Sequence, residues 1–277
     1  MVEQKSWVTL ATDPWTATFE YSSGPGSVTA LAVDVGGALL VASPPCRVAG
    51  DAFEALASRA PVRALVATNA YHTLGLAPWK ARFPEAAVFA PPQSLQRVTR
   101  VSGVEGIRPL GEAAALTGER VALIELPYFR TGEALIKIRA AEGLVWYVTD
   151  ILLNLPQLPS HPLFAALFKL TGSAPGLRIN RIAPLFMVRA RPALWQWLAA
   201  EARRDRPRWL VPAHGAPVDL AAGSTRLEEL FHCIRTDCAS ARRGCRLARS
   251  TRDASFSPSP SARSRIALWY SCTACRY

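Results

Sequence analysis

Cysteine is nearly missing from most of this chain. Only Cys46 falls within residues 1–232, while Cys233, Cys238, Cys245, Cys272 and Cys275 crowd into residues 233–277. A single cysteine excludes a disulfide framework for the first 232 residues and fits a reducing compartment. Also missing is an uncharged apolar run of about 18 residues, the minimum for a membrane-spanning helix. No membrane partner is therefore expected. The first residues, MVEQKSWVTLATDPW, lack the basic start and apolar core of a secretory signal. Cytoplasm is the expected location. Lysine is absent from residues 233–277, where nine arginines and two aspartates supply +7 of the formal charge of +11. The remaining +4 is spread over residues 1–232, too weak a balance to imply nucleic acid by itself.

Present in quantity are hydrophobic residues, half of the 277, with 22 prolines and 17 glycines. That length and apolar content suffice for a sizeable core cut by many turns. The first half reads as strands: Thr16–Tyr21, Ser27–Val35, Ala38–Ala42, Val62–Ala67 and Ala87–Ala90. Gly36 and Gly37 sit between two of these runs, a hairpin signal. Short helices are expected at Asp51–Ala57 and His72–Phe83. In the second half, Val121–Leu126, Ala134–Ile138 and Leu144–Thr149 read as strands, and His161–Leu170 and Pro192–Ala202 as helices. Arg208–Pro212 is a last strand and Thr225–Phe231 a last helix. Locally paired strands with helices outside predict an α/β layered domain over residues 1–232. Residues 233–277, with the low-complexity run SFSPSPS, hold too few apolar side chains to offset their ordering entropy. They read as a disordered Arg/Ser-rich appendage, or as an end produced by read-through or a shifted frame.

Three apolar runs stop at a polar group followed by a turn. ALVATNAYH ends at His72, VWYVTD at Asp150 and WLVPAHG at His214 and its glycine. Strand ends put side chains on the rim of a sheet, where chemistry is usually done. Two histidines and one carboxylate suit zinc, iron or a similar divalent ion. Each residue also has a structural reading: His72 as a helix-start histidine, Asp150 as a cap, His214 as a turn residue.

With these segments in place, the chain resembles the metallo-β-lactamase superfamily over about the whole of residues 1–232. The resemblance implies a four-layer α/β/β/α sandwich with a metal site at one edge of its two sheets. The family's H-x-H-x-D-H corresponds to ATNAYH, Ala67–His72. His72 stands for the last motif histidine, Ala67 and Asn69 for the first two, and Tyr71 for the motif aspartate. PYFRTG puts Phe129 where the family has its turn histidine. GLVWYVTD matches the strand of the bridging aspartate, and VPAHGAP the turn of the final histidine. One metal of a two-metal member thus loses three of its four protein ligands here. The other keeps three of four: His72, Asp150 and His214.

The resemblance therefore implies one divalent metal, zinc first with iron or manganese as alternatives, or none. A three-ligand ion with an open fourth position can activate water, the expected nucleophile. Asp150, Tyr71 and Asn69 are the expected catalytic residues. Asn69 is cast as a donor to an oxyanion, and Tyr71 as reaching the metal or hydrogen-bonding a substrate, with packing as its commoner role beside a site. Two functions follow. One is a single-metal hydrolase of a small-molecule ester, thioester, lactone or phosphoester. The other is a non-catalytic binding or scaffold protein on the same fold, favoured by the missing first half of the motif. The tail adds two weaker expectations: non-specific nucleic-acid contact through its arginines, and a zinc cluster of His232, Cys233, Cys238 and Cys245 with the CTAC pair.

Overall fold

A computed structural model describes residues 6–23, 26–223 and 226–231. The expected tail and its cysteine cluster lie outside the described residues. The first sheet has seven strands in spatial order β1 (Val8–Thr12), β2 (Trp15–Ser23), β3 (Gly26–Asp34), β4 (Leu39–Ala42), β5 (Val62–Val66), β6 (Ala87–Ala90) and β7 (Arg108–Pro109). β1 to β4 run antiparallel, and β4 to β7 run parallel. The second sheet has six strands: β8 (Val121–Glu125), β9 (Ala134–Ala140), β10 (Gly143–Leu155), β11 (Gly176–Ile179), β12 (Trp209–Gly215) and β13 (Val218–Asp219). Its order is β13-β12-β10-β9-β8, with β11 paired to the far end of β10. Helices among the described residues include α1 (Gly50–Ala57), α2 (Leu76–Arg82), α3 (Leu95–Ser102), α4 (Ala114–Thr117), α5 (Pro162–Thr171), α6 (Ala183–Met187) and α7 (Arg191–Asp205), and residues 227–231 are helical too.

The alternation of side chains along each strand explains the layers. In β4, Leu40 and Ala42 face one core, while Leu39 and Val41 face another. In β10, Val145 and Tyr147 join the same central core as Leu40, and Trp146 and Val148 point the other way. A period of two with both faces apolar is what a strand buried on both sides requires. The central core therefore lies between the sheets. The second core packs α1 to α3 on the first sheet through Leu56, Leu76, Trp79 and Val98. The third packs α7 on the second sheet through Leu194, Trp195, Leu198 and Ala202, whose spacing puts them on one helical face. The result is the four-layer α/β/β/α sandwich expected from the sequence. No helix among the described residues is long and apolar enough to cross a membrane.

Two local readings change. The helix expected to start at His72 starts at Leu76. The Asn69 side-chain carbonyl accepts the backbone N–H of both Tyr71 (2.8 Å) and His72 (2.9 Å), which fixes a turn and keeps this stretch out of helix. The strand expected to stop at Asp150 runs on to Leu155. Its continuation is made by β11, where Leu152 pairs with Ile179 and Leu155 with Gly176.

Candidate metal centre

Asp150 does not sit at a strand end but at an irregularity inside β10. The parallel pairing with β12 jumps from Val148↔Pro212 to Leu153↔His214, so Asp150 lies in a stretch of β10 out of step with β12. This break swings the Asp150 carboxylate under two imidazoles. The Nε2 of His214 lies 3.1 Å from Asp150 Oδ1, and the Nε2 of His72 lies 3.6 Å from the same oxygen. The two rings meet edge to face at 5.4 Å between centroids. One ligand atom from each residue falls within 4.8 Å of the others. Asp150 is buried at 2% side-chain exposure, while His72 and His214 keep 8% and 23%. The cluster is thus open on its histidine side.

The second oxygen of Asp150 is held from behind. Asn69 Nδ2 donates to Asp150 Oδ2 at 2.7 Å and to Glu133 Oε2 at 2.9 Å. Glu133 in turn accepts from the Asp150 backbone N–H at 3.1 Å and from the Thr149 hydroxyl. Asn69, Glu133 and Thr149 are fully buried. With two N–H bonds made and its carbonyl accepting two more, the Asn69 amide is saturated. It has no N–H left for a substrate oxyanion, so the expected oxyanion role is closed to it. Its geometry is that of a clamp joining the His72 turn to the Asp150 carboxylate.

The two buried carboxyls divide the charge between them. Burial and the neighbouring Asp150 raise Glu133 well above the ordinary carboxylate value. Burial also pushes Asp150 up, but hydrogen bonds and charge from His214 and His72 outweigh it and hold Asp150 well below that value. Asp150 therefore carries the negative charge. Burial lowers His214, and the bond to Asp150 outweighs it and raises the imidazole. His214 Nδ1 also faces the Ser27 carbonyl at 3.4 Å. A proton on Nδ1 there frees Nε2 to act as a ligand, the usual orienting device of a metal-bound histidine.

The donor set and its spacing suit a divalent ion. Tetrahedral bonds of about 2.0–2.1 Å put neighbouring ligand atoms about 3.3 Å apart. The two histidine–aspartate separations, 3.1 and 3.6 Å, bracket that edge. The three ligand atoms together span up to 4.8 Å, so the two imidazoles would close toward each other on a bound ion. The residues expected in place of the motif histidines are closed in. Ala67 and Asn69 are fully buried, and Phe129 is 6% exposed in the apolar core. Tyr71 is half-buried, with the Arg97 guanidinium 4.9 Å above its ring and Arg97 Nε bonded to the Ala70 carbonyl at 3.1 Å. This is a packing contact at the rim, next to His72.

Glu133 was not among the sequence candidates. Its signal is a lone acid entering an apolar strand, TGEALIKI. Only the pairing gives it meaning: the β9–β10 register of Leu135 with Val148, continued two residues, sets Glu133 opposite Asp150.

Solved structures share this arrangement of layers. A flavo di-iron protein mutant from Thermotoga maritima superposes with a TM-score of 0.55 at 12% identity, covering 82% of this chain and 61% of its own. A metallo-β-lactamase from Erythrobacter litoralis gives a TM-score of 0.51 at 17% identity, covering 83% of this chain and 91% of its own. The chain thus spans less than two thirds of the first of these proteins. No protein-family model matches the chain, and no curated protein matches it. The sandwich and these likenesses give the chain the metallo-β-lactamase-like fold.

Proposed function

We propose that this protein is a hydrolase working with one divalent metal held by His72, Asp150 and His214. The observation that carries this reading is the convergence of those three ligand atoms within 4.8 Å, open on one side and hydrogen-bonded from behind. When bound, such an ion supplies Lewis acidity toward water and toward a carbonyl or phosphoryl oxygen. The chain's own residues set the rest. Asp150 carries the charge that draws the cation, and Asn69 holds Asp150 Oδ2 so that Oδ1 faces the imidazoles. The Ser27 carbonyl orients His214. Arg97 and Tyr71 edge the opening and offer a cation and a phenol to a substrate group. The substrate class is an ester, thioester, lactone or phosphoester, with zinc as the first choice of metal. The cytoplasm is the proposed location.

A second reading is a non-catalytic binding protein. It is favoured by the closed half of the site, where Asn69, Glu133 and Phe129 are buried and Asn69 is bonded to Glu133. A panel of chromogenic esters, thioesters, lactones and phosphoesters separates the two. Hydrolysis that depends on added zinc and vanishes in His214→Ala supports the hydrolase. Equal, absent turnover for the metal-loaded protein and the variant leaves the binding reading.

A further inference from the structure

Immediately downstream of Asp150 the chain has a long stretch without acidic residues. Residues 151–191 contain no aspartate or glutamate, but carry Lys169, Arg178, Arg181, Arg189 and Arg191. All five are exposed. Among the described residues, Lys169, Arg178, Arg189 and Arg191 make no ion pair. The segment folds into a small lobe around its own cluster of Leu153, Phe168, Ala174 and Ile182. Its helix α5 is apolar on both faces. Phe168 points into the cluster, and Leu163 and Leu170 point outward at 68% and 85% exposure, two helical turns apart. Leu185 on α6 is exposed at 50%. A surface helix of a globular protein normally turns polar residues outward, so this lobe has the composition of a covered surface.

Charge decides what can cover it. A second copy would bring the same cations against these, and residues 233–277 add +7 of like sign. Nucleic acid would match the cations but not the leucines. We infer that the lobe formed by α5, β11 and α6 docks on a membrane surface rich in anionic phospholipid, leucines in the acyl boundary and cations at the headgroups. This revises the expectation of no membrane partner, which rested on the lack of a spanning run. The docking is peripheral and independent of the metal.

The test is co-sedimentation of the full chain with vesicles of phosphatidylcholine alone and of phosphatidylcholine with phosphatidylglycerol. The chain should pellet with the anionic vesicles, and less so as salt is raised. Leu163→Ser with Leu170→Ser keeps every charge, the tail's included, and should lower partitioning at least about tenfold. Lys169→Glu should lower it at least about fivefold. Both positions are exposed, and an unchanged thermal midpoint shows that the variants are folded. Failure to pellet with anionic vesicles overturns the inference. So does equal pelleting of the double serine variant, which would assign binding to the arginine tail. Equal binding to soluble polyglutamate would name an acidic polypeptide as the partner instead.

Discussion

The two sides of the site have been built in opposite ways. On one side, Ala67, Asn69, Phe129 and Glu133 form a closed wall, fully buried apart from the 6% exposure of Phe129. On the other, His72 and His214 leave an opening above a charged Asp150. The difference teaches that Ala67, Asn69 and Phe129 close one side of the site. The Asn69 amide joins Asp150 to Glu133, and Phe129 extends the apolar core. A buried polar group without a partner costs about 1–3 kcal/mol, so the wall's full set of hydrogen bonds is a condition of its stability.

The comparison is broken most strongly by Asn69→Asp. This change replaces two donors with an acceptor and sets a third carboxyl beside Asp150 and Glu133. It should cost about 3–5 kcal/mol in urea unfolding, the scale for an uncompensated buried charge. A smaller cost is expected for Gly215→Ala. Gly215 has φ of +109°, and a Cβ there would lie 1.9 Å from the Asn154 carbonyl oxygen. The strain should cost about 1–3 kcal/mol and shift His214 beside it, seen as a changed imidazole signal by NMR.

A site remote from both walls serves as a reference for acid stability. Asp205 contacts Lys137 and Arg204 on the outer face of the second sheet. Burial raises its carboxyl, and the hydrogen bonds and charges of Lys137 and Arg204 outweigh it and bring it below the ordinary value. The stability it adds is present above the unfolded carboxyl value, about 3.9. It is lost as pH falls through the lower folded value. Asp205→Asn should flatten that acid limb in pH-dependent melting while leaving metal content unchanged. The smallest effect belongs to Arg97→Ala, which removes a cation–π contact at the rim. It should cost about 0.5–1 kcal/mol of stability, read in a denaturant titration.

Much of this was legible in the chain because it is local. The apolar run Ala38–Ala42 announces a strand, and both of its faces are buried. The three candidate ligands could be picked out because each follows an apolar run. What was not legible depends on pairing across distance. Glu133 gains its role from a strand register, and β10 passes Asp150 because β11, more than twenty residues on, completes its edge. Asn69 looked like a free donor in the sequence, since nothing near it reveals that Asp150 and Glu133 occupy its amide.

The most direct test of a one-metal site is metal content per chain, measured on protein purified without chelators, with Asp150→Ala beside it. The account predicts about one zinc or other divalent ion per parent chain and none in the variant. Two ions per chain would contradict the sealed wall. No ion in the parent, even after dialysis against zinc, would contradict the metal centre itself.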